Sequence, residues 1–200
     1  MTSEAPSRRS PGSGAPSTAV APSTAVAPVG GPAGWAPGPV VPGDGRVYRF
    51  VVDPHHCLVC GELNARGLRL PIFADRAWTD VTLGPDLVGW SDVAHGGILA
   101  ALLDEVMGWA LFEHDCWGFT AEMTVRYLRP VAPGQQIHVE GGVTEVTRRL
   151  FRTAGRITDA NGALLTTATA RYVAAPEARK TEMRAQYRFR LEAVAEAGVS

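Results

Sequence analysis

"DVAHGGILAALLDEVMGWALFEHD", residues Asp92 to Asp115, is the stretch on which the reading of the fold turns. Between Ile98 and Phe112 only Asp104, Glu105 and Gly108 are not apolar, so the segment reads as a helix that is apolar on every side and buried in protein. It is too short to cross a bilayer, because about 15 residues rise only about 22 Å against about 30 Å of hydrocarbon. Two carboxylates in such a helix call for a reason.

The segments around the helix read as strands. "RVYRFVV" (Arg46 to Val52) and "GLRLPIF" (Gly67 to Phe73) precede it, with "AWTDVTL" (Ala77 to Leu83) alternating at period two. After it come "TAEMTVRYL" (Thr120 to Leu128), "QIHVEGGVTEVT" (Gln136 to Thr147), "LFRTAGRITD" (Leu150 to Asp159) and "ALLTTATARYV" (Ala163 to Val173). Asn161-Gly162 offers the positive φ angles of a tight hairpin turn. Gly141-Gly142, inside a strand, would permit a bend or bulge. One buried helix among six or seven antiparallel strands predicts an α+β domain, a curved antiparallel β-sheet wrapped around one long central α-helix.

The ends of the chain differ from this core. Residues 1–45 are almost all Ala, Pro, Ser, Thr, Gly and Val, with "APSTAV" at Ala15 to Val20 repeated at Ala21 to Val26. Such a tract buries too little apolar surface to offset chain entropy and reads as a disordered tail; recurrent Pro and the lack of a continuous apolar run argue against an export signal. Residues 46–174 then form the domain, and 175–200 a C-terminal extension that could be helical from Pro176. Three cysteines, an odd count without an export signal, fit a cytoplasmic location rather than a disulfide framework. With 19 Lys and Arg against 20 Asp and Glu, the chain lacks the basic excess of a nucleic-acid binder, and a membrane partner is not expected either.

Gly96 and Gly97 open the helix, where backbone N–H groups and the positive end of the dipole face outward and glycine lets a ligand approach. A carbonyl oxygen gaining negative charge in acyl transfer would be stabilised there; the plainer reading is that the glycines only permit tight packing. Asp104 lies eight residues after Gly96, which displaces it along the helix by about 12 Å, or about 9 Å once its side chain leans back. General-base or nucleophilic chemistry needs contact at about 3 Å. If both groups serve one carbonyl, the acid comes from a second copy, which predicts a homo-oligomer, dimeric at minimum, with the site across its interface. Small neighbours Ala100, Ala101 and Gly108 leave room beside Asp104. Glu105 shares two of them, so spacing alone does not choose between the acids; the plainer role for either is a charge at a solvated notch or an internal pair with an arginine, and Glu105 is assigned to it.

"CLVCGELNARGLRL" (Cys57 to Leu70), "GWSDVAHGGILAALLDE" (Gly89 to Glu105) and "TAEMTVRYLRPVAPG" (Thr120 to Gly134) together resemble the hotdog-fold thioesterases of the PaaI type, within them the acyl-CoA thioesterase group that carries an N-terminal Cys-x-x-Cys-Gly segment. The resemblance covers Cys57 to Val173. It implies a hotdog fold and hydrolysis of an acyl thioester, with Asp104 as general base or nucleophile, Gly96 lending a backbone N–H to the carbonyl, and His95 as part of the same signature. Thr120 falls where some relatives carry a hydroxyl that orients water or substrate; an ordinary strand residue would look the same. Gly97 and Gly89 fall at the substrate. Many relatives have Asn or Gln where this chain has Gly89, and losing such a polar group can cost about 10²-fold in rate. That departure keeps open an acyl-thioester-binding protein with little hydrolysis, while a hydratase is disfavoured for want of its motif.

His55, His56, Cys57 and Cys60 invite a zinc reading, but no second Cys pair follows and Cys116 is 56 residues beyond Cys60. No metal and no cofactor are therefore expected, and the segment is taken as a loop or short helix near the site. Among Arg126, Arg129, Arg148, Arg149 and Arg152, the pair Arg148 and Arg149 is the choice for the phosphates of coenzyme A, or for the acidic surface of an acyl-carrier protein. Most of Trp78, Trp90, Trp109, Trp117 and Phe119 are assigned to core or interface, with Trp109 or Trp117 the candidates to bound an acyl pocket.

Overall fold

A computed structural model describes residues 42, 44–90, 92–147 and 149–194. The tail assigned to residues 1–45 falls, apart from 42, 44 and 45, outside the described residues. Strand β1 (Tyr48–Val51) is followed by β2 (Ile72–Phe73), β3 (Ala77–Thr82), a short hairpin of β4 (Val88–Trp90) and β5 (Val93–Ala94), and helix α1 (Gly96–Trp109). Then come β6 (Gly118–Tyr127), β7 (Gln136–Val146), β8 (Leu150–Asp159), β9 (Leu164–Ala174), helix α2 (Glu177–Tyr187) and β10 (Arg190–Ala193). All but β4 and β5 join one eight-stranded antiparallel sheet in the order β10-β1-β2-β3-β7-β8-β9-β6. The sheet wraps α1, which is the hotdog arrangement.

The apolar run of α1 explains its position. Leu102, Leu103, Val106 and Met107 are all 0% exposed, and each such side chain contributes about 1.5–3 kcal/mol by leaving water. The helix ends when the chain tightens into a 3-10 turn at Ala110–His114, and Asp115 at φ 52° reverses it. Edge position belongs to β6 at one side of the sheet and β10 at the other. The C-terminal extension thus contains a helix and then a strand paired with β1. Phe189, between them, stacks on Phe112 with centroids 4.5 Å apart.

Three local expectations need correction. The segment Gly67 to Phe73 contributes only Ile72–Phe73 as strand, because Arg69 takes φ 52° and Pro71 has no N–H for a ladder. In the β8–β9 turn only Gly162 takes positive φ, at 78°. Asp159 Oδ1 accepts the N–H groups of Asn161 and Ala163 and holds the turn, so Asn161 need not be left-handed. Gly141 and Gly142 pair regularly with Gly155 and Ala154, and the bulge lies further on, between Val143 and Glu145.

What Gly141 permits is contact: a Cβ there would lie 2.8 Å from Met107 N and 3.0 Å from Val106 C, both backbone atoms of α1. Gly141→Ala is therefore expected to destabilise the fold by about 1–3 kcal/mol through overpacking. A urea titration should show a lower midpoint with an unchanged slope; an unshifted midpoint would contradict the close helix–sheet approach.

Candidate active site

The β4–β5 hairpin leads directly into α1 and presents His95 as its N-cap. His95 Nδ1 accepts the Gly97 N–H at 2.9 Å, which places the proton of the neutral ring on Nε2. Gly97 is therefore occupied by the cap, and no acceptor faces the Gly96 N–H among the described residues. The Tyr127 hydroxyl, from the end of β6, donates to Gly96 O at 2.8 Å. A Cβ on Gly96 would meet the Tyr127 ring at 3.2 Å, and one on Gly89 would meet His95 at 3.3 Å. These residues, with Leu99 and Arg129, line an open cleft of about 470 Å³, within the usual size of a small-molecule site. Trp90, 85% exposed, stands at its rim.

Asp104 lies two turns further along α1 and faces the other half of β6. Its Oδ1 accepts hydrogen bonds from Thr120 Oγ1 at 2.8 Å and from the Tyr172 hydroxyl at 2.8 Å. Tyr172 also reaches Asp104 O at 2.9 Å. Thr120 and Tyr172 are direct partners across β6 and β9, so the strand pairing delivers both hydroxyls to one oxygen. Burial, followed by the charge of Asp104, pushes the Tyr172 phenol well above its ordinary range, which keeps it a donor. Tyr172 went unremarked in the sequence, since only the β6–β9 register brings it opposite Thr120.

Glu105 departs from expectation. It is neither at a solvated notch nor paired with an arginine: its carboxylate accepts the Trp109 indole N–H at 2.7 Å and lies 3.3 Å from Cys57 Sγ. Burial foremost, reinforced by Cys57, raises its pKa to about 7. Hydrogen bonding from Cys60 draws Cys57 down to about 4 and pushes Cys60 far up in return. The adjacent acids thus point in different directions, Asp104 to β6 and Glu105 to the loop before β2.

Among the cations, Arg148 lies outside the described residues. Arg149 is exposed in the β7–β8 turn, its carbonyl bound by the Ala174 N–H at 2.9 Å. The cation in the cleft is Arg129, which the spacing did not favour over the Arg148–Arg149 pair. Trp109 and Trp117 do not line this cleft. They are 8% and 6% exposed and pack with Phe112, while Trp117 stacks on Tyr187 and Trp109 on Phe50. No helix among the described residues is long and apolar enough to cross a membrane.

The model of the thioesterase superfamily matches residues 92–166, the stretch that holds the capped glycine start of α1, Asp104 and Thr120. Residues 92–166 are thus similar to the thioesterase superfamily. A solved thioesterase superfamily protein is 30% identical, with a TM-score of 0.56 over 59% of this chain and 60% of its own, so the chain spans less than two thirds of that relative. The PaaI protein of E. coli, from its phenylacetic acid degradation operon, shares the fold at 17% identity and a TM-score of 0.50, over 52% of this chain and 78% of its own. Among curated proteins none matches.

Within the matched segment, the two halves of the site lie along one edge strand but apart on one helix. Tyr127 is bonded at Gly96 and Thr120 at Asp104. The eight residues between Gly96 and Asp104 correspond to about 12 Å of helix. An oriented carboxylate and an open N–H at a helix start are the two groups that acyl transfer to water needs, and Tyr172, which steers the carboxylate, lies beyond the matched segment.

Proposed function

We propose that this protein hydrolyses acyl-CoA thioesters as a homodimer, with Asp104 of one protomer acting on a carbonyl held at Gly96 of its partner. The observation that carries the reading is the fixed Asp104 carboxylate, held by Thr120 and Tyr172 on the flank of a ten-residue edge strand. Among the described residues, that edge pairs with β9 on one side alone, and it exposes Phe119 at 51% and Tyr127 at 53%. A long apolar edge of this kind is a template for strand pairing. A twofold pairing of β6 with its copy, centred near Met123 and Thr124, sets Thr120 opposite the partner's Tyr127. It thereby carries Asp104 toward the partner's Gly96, closing a gap that one helix leaves open.

In this reading Asp104 takes a proton from water as the water attacks the thioester carbon, or its carboxylate attacks directly, displaces the thiolate and forms an anhydride that water then hydrolyses. The Gly96 N–H and the dipole of α1 stabilise the oxyanion, and coenzyme A leaves as the thiol once its sulfur is protonated. His95 serves by shaping the helix start, Gly97 by satisfying it, and Gly89 by leaving space against His95. Arg129 beside the cleft, with Arg148 and Arg149, supplies charge for coenzyme A phosphates or a carrier-protein surface. The three free cysteines suit the reducing cytoplasm.

The test is thiol release from short, medium, long and aromatic acyl-CoAs, and turnover on at least one class is expected. Gly89 carries a second reading: with no polar side chain there, the protein binds acyl thioesters without hydrolysing them. Tight acyl-CoA binding without thiol release over hours would decide for it.

A further inference from the structure

The loop between β1 and β2 brings His55, Cys57 and Cys60 together so that one donor atom from each lies within 4.8 Å of the others. Cys60 Sγ is 3.4 Å from His55 Nε2, and Cys57 Sγ is 3.3 Å from Glu105 Oε2 on α1. Glu105 approaches the trio from α1 through its contact with Cys57. Zinc held tetrahedrally by thiolate at about 2.3 Å and by imidazole or carboxylate at about 2.0–2.1 Å keeps neighbouring donors about 3.5–3.8 Å apart. The Cys60–His55 and Cys57–Glu105 separations approach edges of that tetrahedron, and a small inward shift of the Glu105 carboxylate would complete it. We propose that His55, Cys57, Cys60 and Glu105 form a structural zinc site that pins residues 54–60 to α1 beside Asp104.

The surroundings are built for a metal as well. His55 Nδ1 lies 3.2 Å from Asp53 O, which directs Nε2 toward the sulfurs, and the ring packs edge-on against Tyr187 of α2. A metal-bound histidine commonly donates its second nitrogen to a carbonyl in this way. The Val59 N–H donates to Cys57 Sγ at 3.4 Å, and Trp109 holds the other oxygen of Glu105. The turn closes with Gly61 N–H on Cys57 O at 3.2 Å. It admits only glycine there, since a Cβ would lie 2.6 Å from His55 O. The absence of a second Cys pair, which argued against zinc along the chain, is answered by a carboxylate 45 residues beyond Cys60. Cys116 is buried elsewhere and takes no part.

The test is metal content, which needs no turnover and stands apart from the thioesterase reading. The full chain, reduced, incubated with zinc and dialysed, is expected to retain about one zinc per chain by mass spectrometry. Cobalt in its place should show thiolate-to-metal charge transfer and tetrahedral d–d bands. Cys57→Ser and Cys60→Ser should each retain less than about a tenth of the metal, and Glu105→Gln should weaken affinity by about 10-fold or more, with Cys116→Ser unchanged. Circular dichroism identifies variants that retain the fold. Substoichiometric zinc in the wild type, or full zinc in folded Cys57→Ser and Cys60→Ser, would overturn the proposal. So would a single titratable thiol in the denatured chain, the mark of a Cys57–Cys60 disulfide, and unchanged affinity in Glu105→Gln would remove the fourth ligand.

Discussion

Asp104→Asn is expected to lower kcat for thioester hydrolysis by at least about 10³-fold, the range lost when a general base is removed. The substitution is nearly isosteric, and its amide oxygen can still accept from Thr120 and Tyr172. Fold, dimer and substrate affinity should therefore persist while the group that takes the proton or attacks the carbon is gone. Sedimentation and thermal melts on the same sample separate lost chemistry from lost structure. Turnover within 10-fold of wild type in a folded dimer would remove Asp104 from the reaction, and Glu105, turned away toward Cys57 and Trp109, offers no ready substitute.

Thr124→Lys is expected to abolish activity by a different route. Thr124 is exposed on β6 and faces the partner's Met123 at the centre of the proposed β6–β6 pairing, so the substitution sets one lysine from each chain at the seam. Lysine on an edge strand is the common guard against edge pairing. In the monomer the side chain has room, so secondary structure and the β6–β9 ladder should survive. Activity should fall in proportion to the dimer fraction measured by sedimentation over a concentration series. A monomeric variant that turns over like wild type would show that one chain holds a complete site.

The helix and the succession of long strands along the chain were legible because burial of α1 requires apolar residues on every face, and the long strands alternate where one face meets it. The short or distorted elements were not. β2 is cut short by Arg69 and Pro71, and β10 is a brief charged segment that pairs with β1 across the whole chain. At the site, Asp104, Gly96 and His95 share one local motif, so the resemblance to hotdog thioesterases could single out Asp104 where spacing alone left it level with Glu105. Tyr172 could not be found this way, because its role depends on a register partner 52 residues earlier, Thr120. Glu105 was misread for a related reason: the helix shows that it is an acid in an apolar run, while the loop that meets it is 45 residues away or more.

The central claim is that Asp104 and Gly96 act on one thioester from different protomers. It is tested most directly by mixing two inactive variants, Asp104→Asn and Gly96→Val, the latter filling the helix start against Tyr127. Each alone should be inactive toward the best acyl-CoA. After subunit exchange about half of the dimers are mixed, and each of these holds one site with both native groups, so about a quarter of wild-type activity should return. Subunit exchange verified by mass, with no recovery of thiol release, would contradict a site shared between the two chains.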